Sequence, residues 1–552
     1  MDDSTDFLVP LLPPFVALLG RAADAQARGD RAAHDIWLAA ASHLHAADAA
    51  SLGQLTTALI ARQRTADAIA LAELGARLHP NATARFNLGY ALQMAGRHAD
   101  AVAPYRAALA TEPGLPSLRN NLAIALRLSG GDRAEEAALL EEAVTVDPRD
   151  VQAWINLVTV RLAAQDLTGA LACAERLAAI APDNALAMNN AALTMKEAQR
   201  WDDAERYAAR ACELAPGDAS YRFNLAIIHL VRGDYAAGWR EHEARWDGSG
   251  ELRGRLPALP GPRWRGEPLA GKTLLVWGEQ GMGDVLQFSR FVVPLAERVH
   301  REGGRLAWNT FPQMGALMQR SLGAHADLFG AGGGVDALPR FDYEVPLISL
   351  PLMLGTGDAT LASTVPYLRA DAHARDGWRA RLAGEIDGET AGGRRLKVGL
   401  VWTGSAGHQR NPFRRVGIER YVEAFRGIDG IAFYSLQPGA QADVAAARAA
   451  GLPIADHTAE LASFDDTAAF IGALDLVITV CTSVAHLAGA LGARTWVLLD
   501  VNPHWPWRLE RRDSPWYPST TLYRQPAFGE WGAVMEDVAR DLQRLAVMPA
   551  AM

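Results

Sequence analysis

The chain has 552 residues, 49% of them hydrophobic and 21% charged, and its formal net charge is -9 at pH 7. This length allows several domains, and the composition is typical of folded globular proteins rather than disordered ones. The negative charge argues against a protein that binds nucleic acid through the phosphate backbone. The three cysteines (Cys173, Cys212 and Cys481) are far apart. We therefore expect neither a disulfide framework nor a zinc site, and we predict a cytoplasmic protein.

An apolar stretch lies near the N-terminus, from Phe7 to Gly20. It contains three prolines and is shorter than the roughly 20 apolar residues that a membrane helix needs. Acidic residues precede it, whereas a signal peptide would begin with basic ones. We expect neither a membrane span nor a signal peptide.

The first half of the chain repeats with a period of about 34 residues, which is the period of the tetratricopeptide (TPR) repeat. The period is marked by Pro80, Pro113, Pro148, Pro182 and Pro216. In a TPR, two helices pack through small residues, and a proline ends the second helix. We predict an all-α TPR solenoid over residues 1–246, with about seven repeats of which the first two are degenerate.

One polar position recurs on the first helix of successive repeats, where packing does not require a polar residue. The residues at this position are Asn87, Asn121, Asn156, Asn190 and Asn224. Because first helices line the concave face of such stacks, we predict that these amides form a ladder that holds the backbone of a protein acceptor. The alternative is that each asparagine bonds the neighbouring helix. The arrangement resembles the asparagine ladder of the eukaryotic O-GlcNAc transferases, whose TPR superhelix delivers protein substrates to the catalytic half.

Residues 247–271 are rich in glycine, proline and arginine, and we predict a linker there. Beyond the linker, apolar runs that fit buried strands alternate with helical patterns. The expected strands cover 273–277, 305–308, 343–348, 396–402, 431–435, 476–480 and 495–499. This alternation predicts parallel sheets in two Rossmann-like lobes, over 272–385 and 396–552, with a ligand cleft between them.

A glycine-rich turn follows the first strand, in the run K-T-L-L-V-W-G-E-Q-G-M-G-D (272–284). The turn residues of interest are Glu279, Gln280, Gly281 and Gly283. Backbone amides of such a turn, with the N-terminus of the next helix, suit a polar ligand at the carboxyl end of the strand. Asp284 is our candidate general base, and its alternative role is as the N-cap of the following helix.

In the second lobe, a buried strand ends at Cys481 and leads into a helix N-terminus at Thr482 and Ser483. Hydroxyls and free amides at such a position suit a phosphate or diphosphate, and simple N-capping is the alternative. His486, on the first turn of the helix, either contacts the same ligand or is an interior histidine. We interpret Cys481 as a small buried residue rather than a reactive thiol.

These motifs resemble a known enzyme family. The run 473–499 is similar to the D-T-x-x-A-H segment of the heptosyltransferase-like glycosyltransferases (family 9 and its GT-B relatives), and G-E-Q-G-M-G-D-V-L-Q-F (278–288) resembles their first turn. G-L-V-W-T-G-S (399–405), F-D-D-T-A-A (464–469) and R-R-D-S-P-W-Y-P (511–518) resemble bacterial proteins that join TPRs to a glycosyltransferase. In this chain Cys481 stands where the family has an aspartate.

The resemblance implies a GT-B fold, with 272–385 as the acceptor lobe and 396–552 as the nucleotide-sugar lobe. It also implies transfer of a sugar from a nucleotide sugar to a protein acceptor, such as flagellin or another exported protein. No D-x-D pair follows a strand as a metal anchor, so we expect metal-independent catalysis without a cofactor. The residues expected to hold the donor are Thr403, Gly404, Ser405, Arg414, Arg415, Gln437, Thr482, Ser483 and His486.

Two other functions remain open. Cys481 in place of the aspartate favours an inactive TPR scaffold with a vestigial glycosyltransferase region, whose repeats bind a protein partner. A heptosyltransferase-like enzyme of cell-surface glycans would leave the 246 repeat residues without a role. Repeat solenoids also self-associate, so a homo-oligomer is compatible with the sequence.

Overall fold

The computed structural model describes residues 12–43, 49–279, 281–333, 335–357, 361, 365–387, 395–408 and 410–547. The chain forms two compact units, Met1–Thr194 and Met195–Met552. The boundary between the two units falls inside the helix Ala185–Glu197, not in the predicted linker 247–271. Its cause is the packing of the later repeats, because Trp201, Tyr235 and Trp239 belong to the same buried core as the strands of the α/β region.

The first unit consists of consecutive helices that pair as TPR-like repeats, as the 34-residue period predicts. Their bounds are α1 Leu12–Ala27, α2 Arg31–His43, α3 Ala49–Ala61, α4 Thr65–Leu78, α5 Ala82–Met94, α6 His98–Thr111, α7 Leu118–Ser129, α8 Arg133–Val146, α9 Val151–Ala163, α10 Leu167–Ile180 and α11 Ala185–Glu197. Several of these helices begin at a residue whose side chain caps the first turn. For example, the side chain of Asn81 accepts a hydrogen bond from the backbone N–H of Ala84. Small residues allow the close packing: a Cβ on Gly89 would lie 2.6 Å from the ring of Tyr105.

The second unit begins with helices that continue the repeat pattern and then becomes α/β. The continuing helices are α12 Trp201–Leu214, α13 Ala219–Arg232, α14 Tyr235–His242 and α15 Arg245–Gly248. The later helices are α16 Met282–Phe288, α17 Val292–Arg301, α18 Gly315–Leu322, α19 Leu350–Leu354, α20 Ala372–Asp387, α21 Asn411–Arg414, α22 Ile418–Phe425, α23 Gln441–Ala449, α24 Phe464–Ile471, α25 Ser483–Ala490 and α26 Gly532–Val547. Among the described helices, none combines the length and the apolar character that crossing a membrane requires.

Two parallel sheets form the α/β region, which confirms the parallel sheets that the sequence predicts. The first has the order β3-β2-β1-β4 and the second the order β10-β9-β8-β5-β6-β7. The strands are β1 Thr273–Trp277, β2 Arg305–Thr310, β3 Leu328–Ala331, β4 Tyr343–Pro346, β5 Leu396–Val401, β6 Ile431–Ser435, β7 Ile454–Asp456, β8 Leu476–Val480, β9 Thr495–Leu499 and β10 Thr520–Arg524. In each sheet the strand order reverses at its first strand, β1 or β5, and ligands of open parallel sheets bind at the carboxyl ends beside such a reversal.

A buried ion pair joins α15 to the turn after β1. The side chains of Arg245 and Glu279 are both 0% exposed. Arg245 donates through Nε to Glu279 Oε2 at 2.8 Å and through Nη2 to Oε1 at 3.1 Å. It also donates to Ser349 Oγ at 2.9 Å, while the backbone N–H of Ile348 donates to Glu279 Oε1 at 2.9 Å. The pair therefore ties the end of the helical region to the end of β1 and to the segment after β4.

Glu279→Gln should lower the free energy of unfolding by roughly 1.5–3 kcal/mol, because it removes the fully buried counter-charge of Arg245 and leaves this guanidinium only the half-buried carboxylate of Glu243. Urea denaturation followed by tryptophan fluorescence measures the change. Asp537→Asn is the control, since its ion pair with Arg540 is exposed and should be worth less than about 1 kcal/mol. Equal effects of the two substitutions would contradict the structural role of the buried pair.

Candidate functional site

The glycine-rich turn after β1 and the N-terminus of α25 meet in the second unit. A Cβ on Gly283 would lie 3.1 Å from His486 Cδ2 and 3.5 Å from Ser483 Cα. A side chain at this position would be in tight contact with the His486 ring, which would have to shift by a few tenths of an ångström. The structure thus brings together two of the regions that the sequence singles out, Gly281–Asp284 and Thr482–His486, at the carboxyl ends of β1 and β8.

Asp284 is the third residue of α16, whose N-cap is Gly281. The alternative role of Asp284 as an N-cap is therefore not the one observed. Within the described part of the chain, its half-buried carboxylate has no hydrogen-bonding partner. Burial, followed by the negative charges of Glu279 and Glu251, raises the pKa of Asp284 to about 7. This carboxyl is consequently poised to exchange a proton near neutral pH.

The N-terminus of α25 is open. Thr482 occupies the N-cap position with extended backbone, but its side chain does not accept a hydrogen bond from the helix amides. Its hydroxyl lies 3.2 Å from Thr479 Oγ1 instead. Simple N-capping by Thr482 is thus not observed, and the first amides of α25, with the partly exposed Ser483, remain available to an anion.

Arg414 lies beside this helix terminus. Its Nη1 donates to the backbone oxygen of Cys481 at 2.8 Å, and its guanidinium packs against Gly404. The Arg414 Nε atom is buried without a hydrogen-bonding partner, and no described carboxylate forms an ion pair with this side chain. An unneutralised guanidinium next to free helix amides is suited to phosphate oxygens.

The loop after β5 supports this arrangement through its backbone. The N–H of Thr403 donates to Gln437 Oε1 at 3.3 Å, and the N–H of Gly404 donates to Asn411 Oδ1 at 2.9 Å. Asn411 Nδ2 also donates to Thr403 Oγ1 at 3.2 Å. Sequence reasoning missed Asn411, although it precedes Pro412 and opens the short helix α21 that carries Arg414.

Of four other predicted site residues, one belongs to a structural ion pair, two are exposed and one lies outside the described residues. Glu279 belongs to the buried ion pair with Arg245, so its carboxylate serves the fold. Ser405 and Arg415 are exposed, and in the described structure their side chains make no hydrogen bond. Gln280 lies outside the described residues.

His486 is an interior residue, 3% exposed. Its Nδ1 lies 3.0 Å from Tyr517 Oη, and its ring stacks on that of Trp507 with centroids 5.2 Å apart. Burial, with the nearby His504 and Arg290, holds the pKa of His486 well below the usual range. The imidazole is therefore neutral, and the structure favours the interior alternative over a charged contact to a diphosphate.

The helical part of the second unit packs directly against the second sheet. Arg410, on the loop before α21, pairs with Glu197 and with Asp500, which follows β9. Asn502 Nδ2 donates to the same Glu197 at 2.7 Å. A tryptophan cluster extends the contact, since Trp516 Nε1 donates to Tyr235 Oη on α14 at 3.1 Å. Repeat residues thus hold the loop that leads to Arg414.

The repeated asparagines have several roles. Asn87 donates to the backbone oxygen of Ala49 at 2.8 Å, and the buried Asn156 donates to Asn120 Oδ1 at 2.8 Å. These two amides bond neighbouring helices, which is the contact that the alternative expects, and their role as groove ligands stays a prediction.

Among the described residues, the side chains of Asn190 and Asn121 make no hydrogen bond to a neighbouring helix. Asn190 donates to Leu186 O of its own helix at 2.8 Å. Asn121 is partly exposed and makes no side-chain hydrogen bond to a described residue. Asn224 lies on α13, in the second compact unit.

The comparison with curated proteins now identifies the family. Protein FlbA of Caulobacter vibrioides is 30% identical over 458 residues, which are 77% of this chain and 72% of FlbA. The chain belongs to the FlbA family. A scan against models of known protein families found no match.

Solved structures similar to this FlbA-family chain include three helical-repeat proteins. MamA from Desulfovibrio magneticus RS-1 is 19% identical, with 31% of this chain and 94% of MamA covered and a TM-score of 0.27. PilF of Pseudomonas aeruginosa is 16% identical, with coverages of 37% and 94% and a TM-score of 0.29. The type IV pilus biogenesis factor PilW is 22% identical, with coverages of 37% and 96% and a TM-score of 0.34.

Asn156→Ala should lower the stability of the first unit by roughly 1–3 kcal/mol, because it leaves the buried amide of Asn120 without its partner. Asn121→Ala is the matched control and should change stability by less than about 0.5 kcal/mol, since its side chain bonds no described residue. Urea denaturation followed by circular dichroism measures both. A loss in Asn121→Ala as large as in Asn156→Ala would contradict the distinction.

Proposed function

We propose that this FlbA-family chain is a glycosyltransferase of the GT-B type, which moves a sugar from a nucleotide sugar to a protein acceptor. The observation that carries the proposal is the position of Asp284, with a pKa near 7, on the helix that contacts the open N-terminus of α25. Such a transfer needs a base that accepts the proton of the acceptor hydroxyl. It also needs hydrogen-bond donors, such as those of a helix N-terminus, that stabilise the anionic leaving group.

The donor diphosphate is assigned to the N-terminus of α25 and to Arg414. When the bond between the anomeric carbon and the phosphate oxygen breaks, the departing nucleoside diphosphate takes the electron pair. The amides at Thr482 and Ser483, the helix dipole and the guanidinium then stabilise this charge. Gly404 allows the guanidinium to lie close to the loop after β5. Thr403 and Gln437 fix that loop.

Asp284 is the proposed general base. An acceptor hydroxyl gives its proton to the carboxylate while its oxygen forms the new bond to the anomeric carbon. Because Asp284 has no described hydrogen-bonding partner, its carboxylate does not have to break an ion pair before it accepts the proton. Its raised pKa also makes it a stronger base than an exposed aspartate.

The TPR-like helices are the reason to propose a protein acceptor, because such repeats bind extended segments of other proteins. With Asn87 and Asn156 bonded inside the repeats, Asn121 and Asn190 are the proposed contacts to that acceptor. Flagellin or another exported protein, modified in the cytoplasm before export, is the acceptor that we propose.

Asp284→Asn should reduce kcat/KM by about 10²–10⁴-fold, because an amide cannot accept the proton. In the unmodified protein, kcat/KM should rise with pH and level off above about pH 7, as Asp284 loses its proton. Incorporation of radiolabelled sugar into the acceptor measures both. Unchanged turnover in Asp284→Asn would remove this residue from the mechanism.

The stability of the Asp284→Asn variant tests independently whether folding raises the pKa of Asp284. A carboxyl whose pKa is raised by folding stabilises the protein when protonated and loses that contribution as pH rises through about 7. The variant should therefore be at least as stable as the unmodified protein at pH 8. A lower melting temperature at that pH would show that the carboxylate has a structural role instead.

Arg414→Ala should weaken binding of a nucleoside diphosphate by about 10–100-fold, because a charge-assisted contact contributes roughly 1.5–3 kcal/mol. The neighbouring Arg415→Ala is the matched comparison and should change the dissociation constant less than twofold, roughly the effect of an exposed charge. Isothermal titration calorimetry with UDP, GDP, CDP and dTDP measures the constants. Equal effects of the two substitutions would contradict the assignment of Arg414.

An inactive scaffold is the second candidate, and Cys481 is the observation that favours it. A thiol stands where the resembled family has a carboxylate, and it accepts a hydrogen bond from Trp507 Nε1 at 3.2 Å. Thermal unfolding with nucleotides and nucleotide sugars separates the two functions. Stabilisation by a nucleotide supports the transferase, whereas tight binding of a protein partner without any such stabilisation supports the scaffold.

A further inference from the structure

Three metal-binding side chains converge beside the candidate site. Cys481 follows β8, His486 lies on the first turn of α25, and His504 lies on the loop after β9. The sulfur and one ring nitrogen from each histidine all lie within 4.8 Å of one another. Nothing in the proposed transfer reaction uses this combination of groups.

We propose that Cys481, His486 and His504 form a binding site for a thiophilic divalent metal ion of the zinc class. Thiolate and neutral imidazole are the ligands that Zn²⁺ prefers, at about 2.3 Å for sulfur and 2.0–2.1 Å for nitrogen. Tetrahedral ligands at these lengths are separated by roughly 3.5 Å. The ligand atoms thus need to move inward by about 1 Å or less, which side-chain rotation provides.

The surrounding residues resemble the supporting shell of a metal site. Tyr517 Oη bonds His486 Nδ1, which fixes the ring and leaves the other nitrogen to an ion. Trp507 Nε1 donates to the sulfur of Cys481. Groups of this kind orient the ligands and tune their affinity for the metal.

Binding of the ion would displace the proton of the Cys481 thiol into solvent, because the thiolate is the form that binds a metal.

This inference does not rest on the proposed sugar transfer, because the site is defined by its ligands alone. Co²⁺ is the probe for the experiment, since a thiolate bound to Co²⁺ produces a charge-transfer absorption in the near ultraviolet. Tag-free, reduced full-length protein is titrated with Co²⁺. We expect this band to saturate at one ion per chain and to disappear when Zn²⁺ is added in competition.

Variants test the ligand set. Cys481→Ser should lose the band, and His504→Ala should weaken Co²⁺ binding at least tenfold. Cys173→Ala/Cys212→Ala, which removes the other two cysteines of the chain, is the matched control and should retain the band. Tyr517→Phe should weaken binding about 10-fold, the effect expected of a residue that orients a ligand.

Cys481→Asp keeps a ligand at this position without sulfur. It should bind Co²⁺ without the charge-transfer band, and this result holds even if Cys481→Ser folds poorly. The absence of the band in the unmodified protein, or its persistence in folded Cys481→Ser or Cys481→Asp, would overturn the proposal.

Discussion

The close approach between the glycine-rich turn and α25 is the constraint on which the candidate site depends. At Gly283 the turn lies so near the helix terminus that a Cβ would be 3.1 Å from the ring of His486. This contact places Asp284 on the element that faces the open amides of Thr482 and Ser483. A Cβ at position 283 would require the His486 ring to shift by a few tenths of an ångström, and this shift would disturb the contact between the helix of the proposed base and the proposed anion site. Proximity of this kind is a major source of rate enhancement in two-substrate reactions.

The helical repeats contribute to the same site through ion pairs, of which Arg245–Glu279 is fully buried and those of Arg410 are partly buried. Arg410 binds Glu197 and Asp500, while Arg245 binds Glu279 at the end of β1. In both pairs, one partner belongs to the helical region and the other lies after a strand. Buried pairs contribute little net stability, but their loss leaves an uncompensated charge. They therefore fix how the last repeats pack on the α/β region, which explains why the compact unit begins at Met195.

The sequence predicted the parts of the fold that follow from local pattern. The 34-residue period predicted TPR-like helix pairs, and apolar runs predicted β1, β6, β8 and β9 with their observed bounds. It missed β3 (Leu328–Ala331), β7 (Ile454–Asp456) and β10 (Thr520–Arg524). β3 is a short edge strand without a fully buried residue, so its composition does not distinguish it from a loop. The helical segment after the glycine-rich turn is interrupted at Ser289–Phe291 by a 3₁₀ turn.

Hydrogen bonds and ion pairs between residues far apart in the chain determined the side-chain roles that local sequence patterns did not predict. Asn87 and Asn156 occupy the same repeat position as Asn121, but only the first two reach an acceptor on a neighbouring helix. Glu279 lies in the expected turn, yet its partner Arg245 is 34 positions earlier in the chain. Periodicity identifies equivalent positions, whereas hydrogen bonding depends on residues that differ from one repeat to the next.

Cys481 affects the electrostatics of the candidate site, and it is also the position at which this chain differs from the family that it resembles. Asp284 already has a raised pKa because burial and the charges of Glu279 and Glu251 oppose its ionisation. A second carboxylate at position 481 would raise that pKa further, since like charges at short range disfavour the charged form. It would also place negative charge at the helix terminus assigned to the diphosphate. As long as no metal ion is bound, the thiol is neutral and avoids both effects. Arg414, which donates to the backbone oxygen of Cys481, forms no ion pair with a described carboxylate and is available to an anionic ligand. The substitution is therefore compatible with an active site whose base operates near neutral pH.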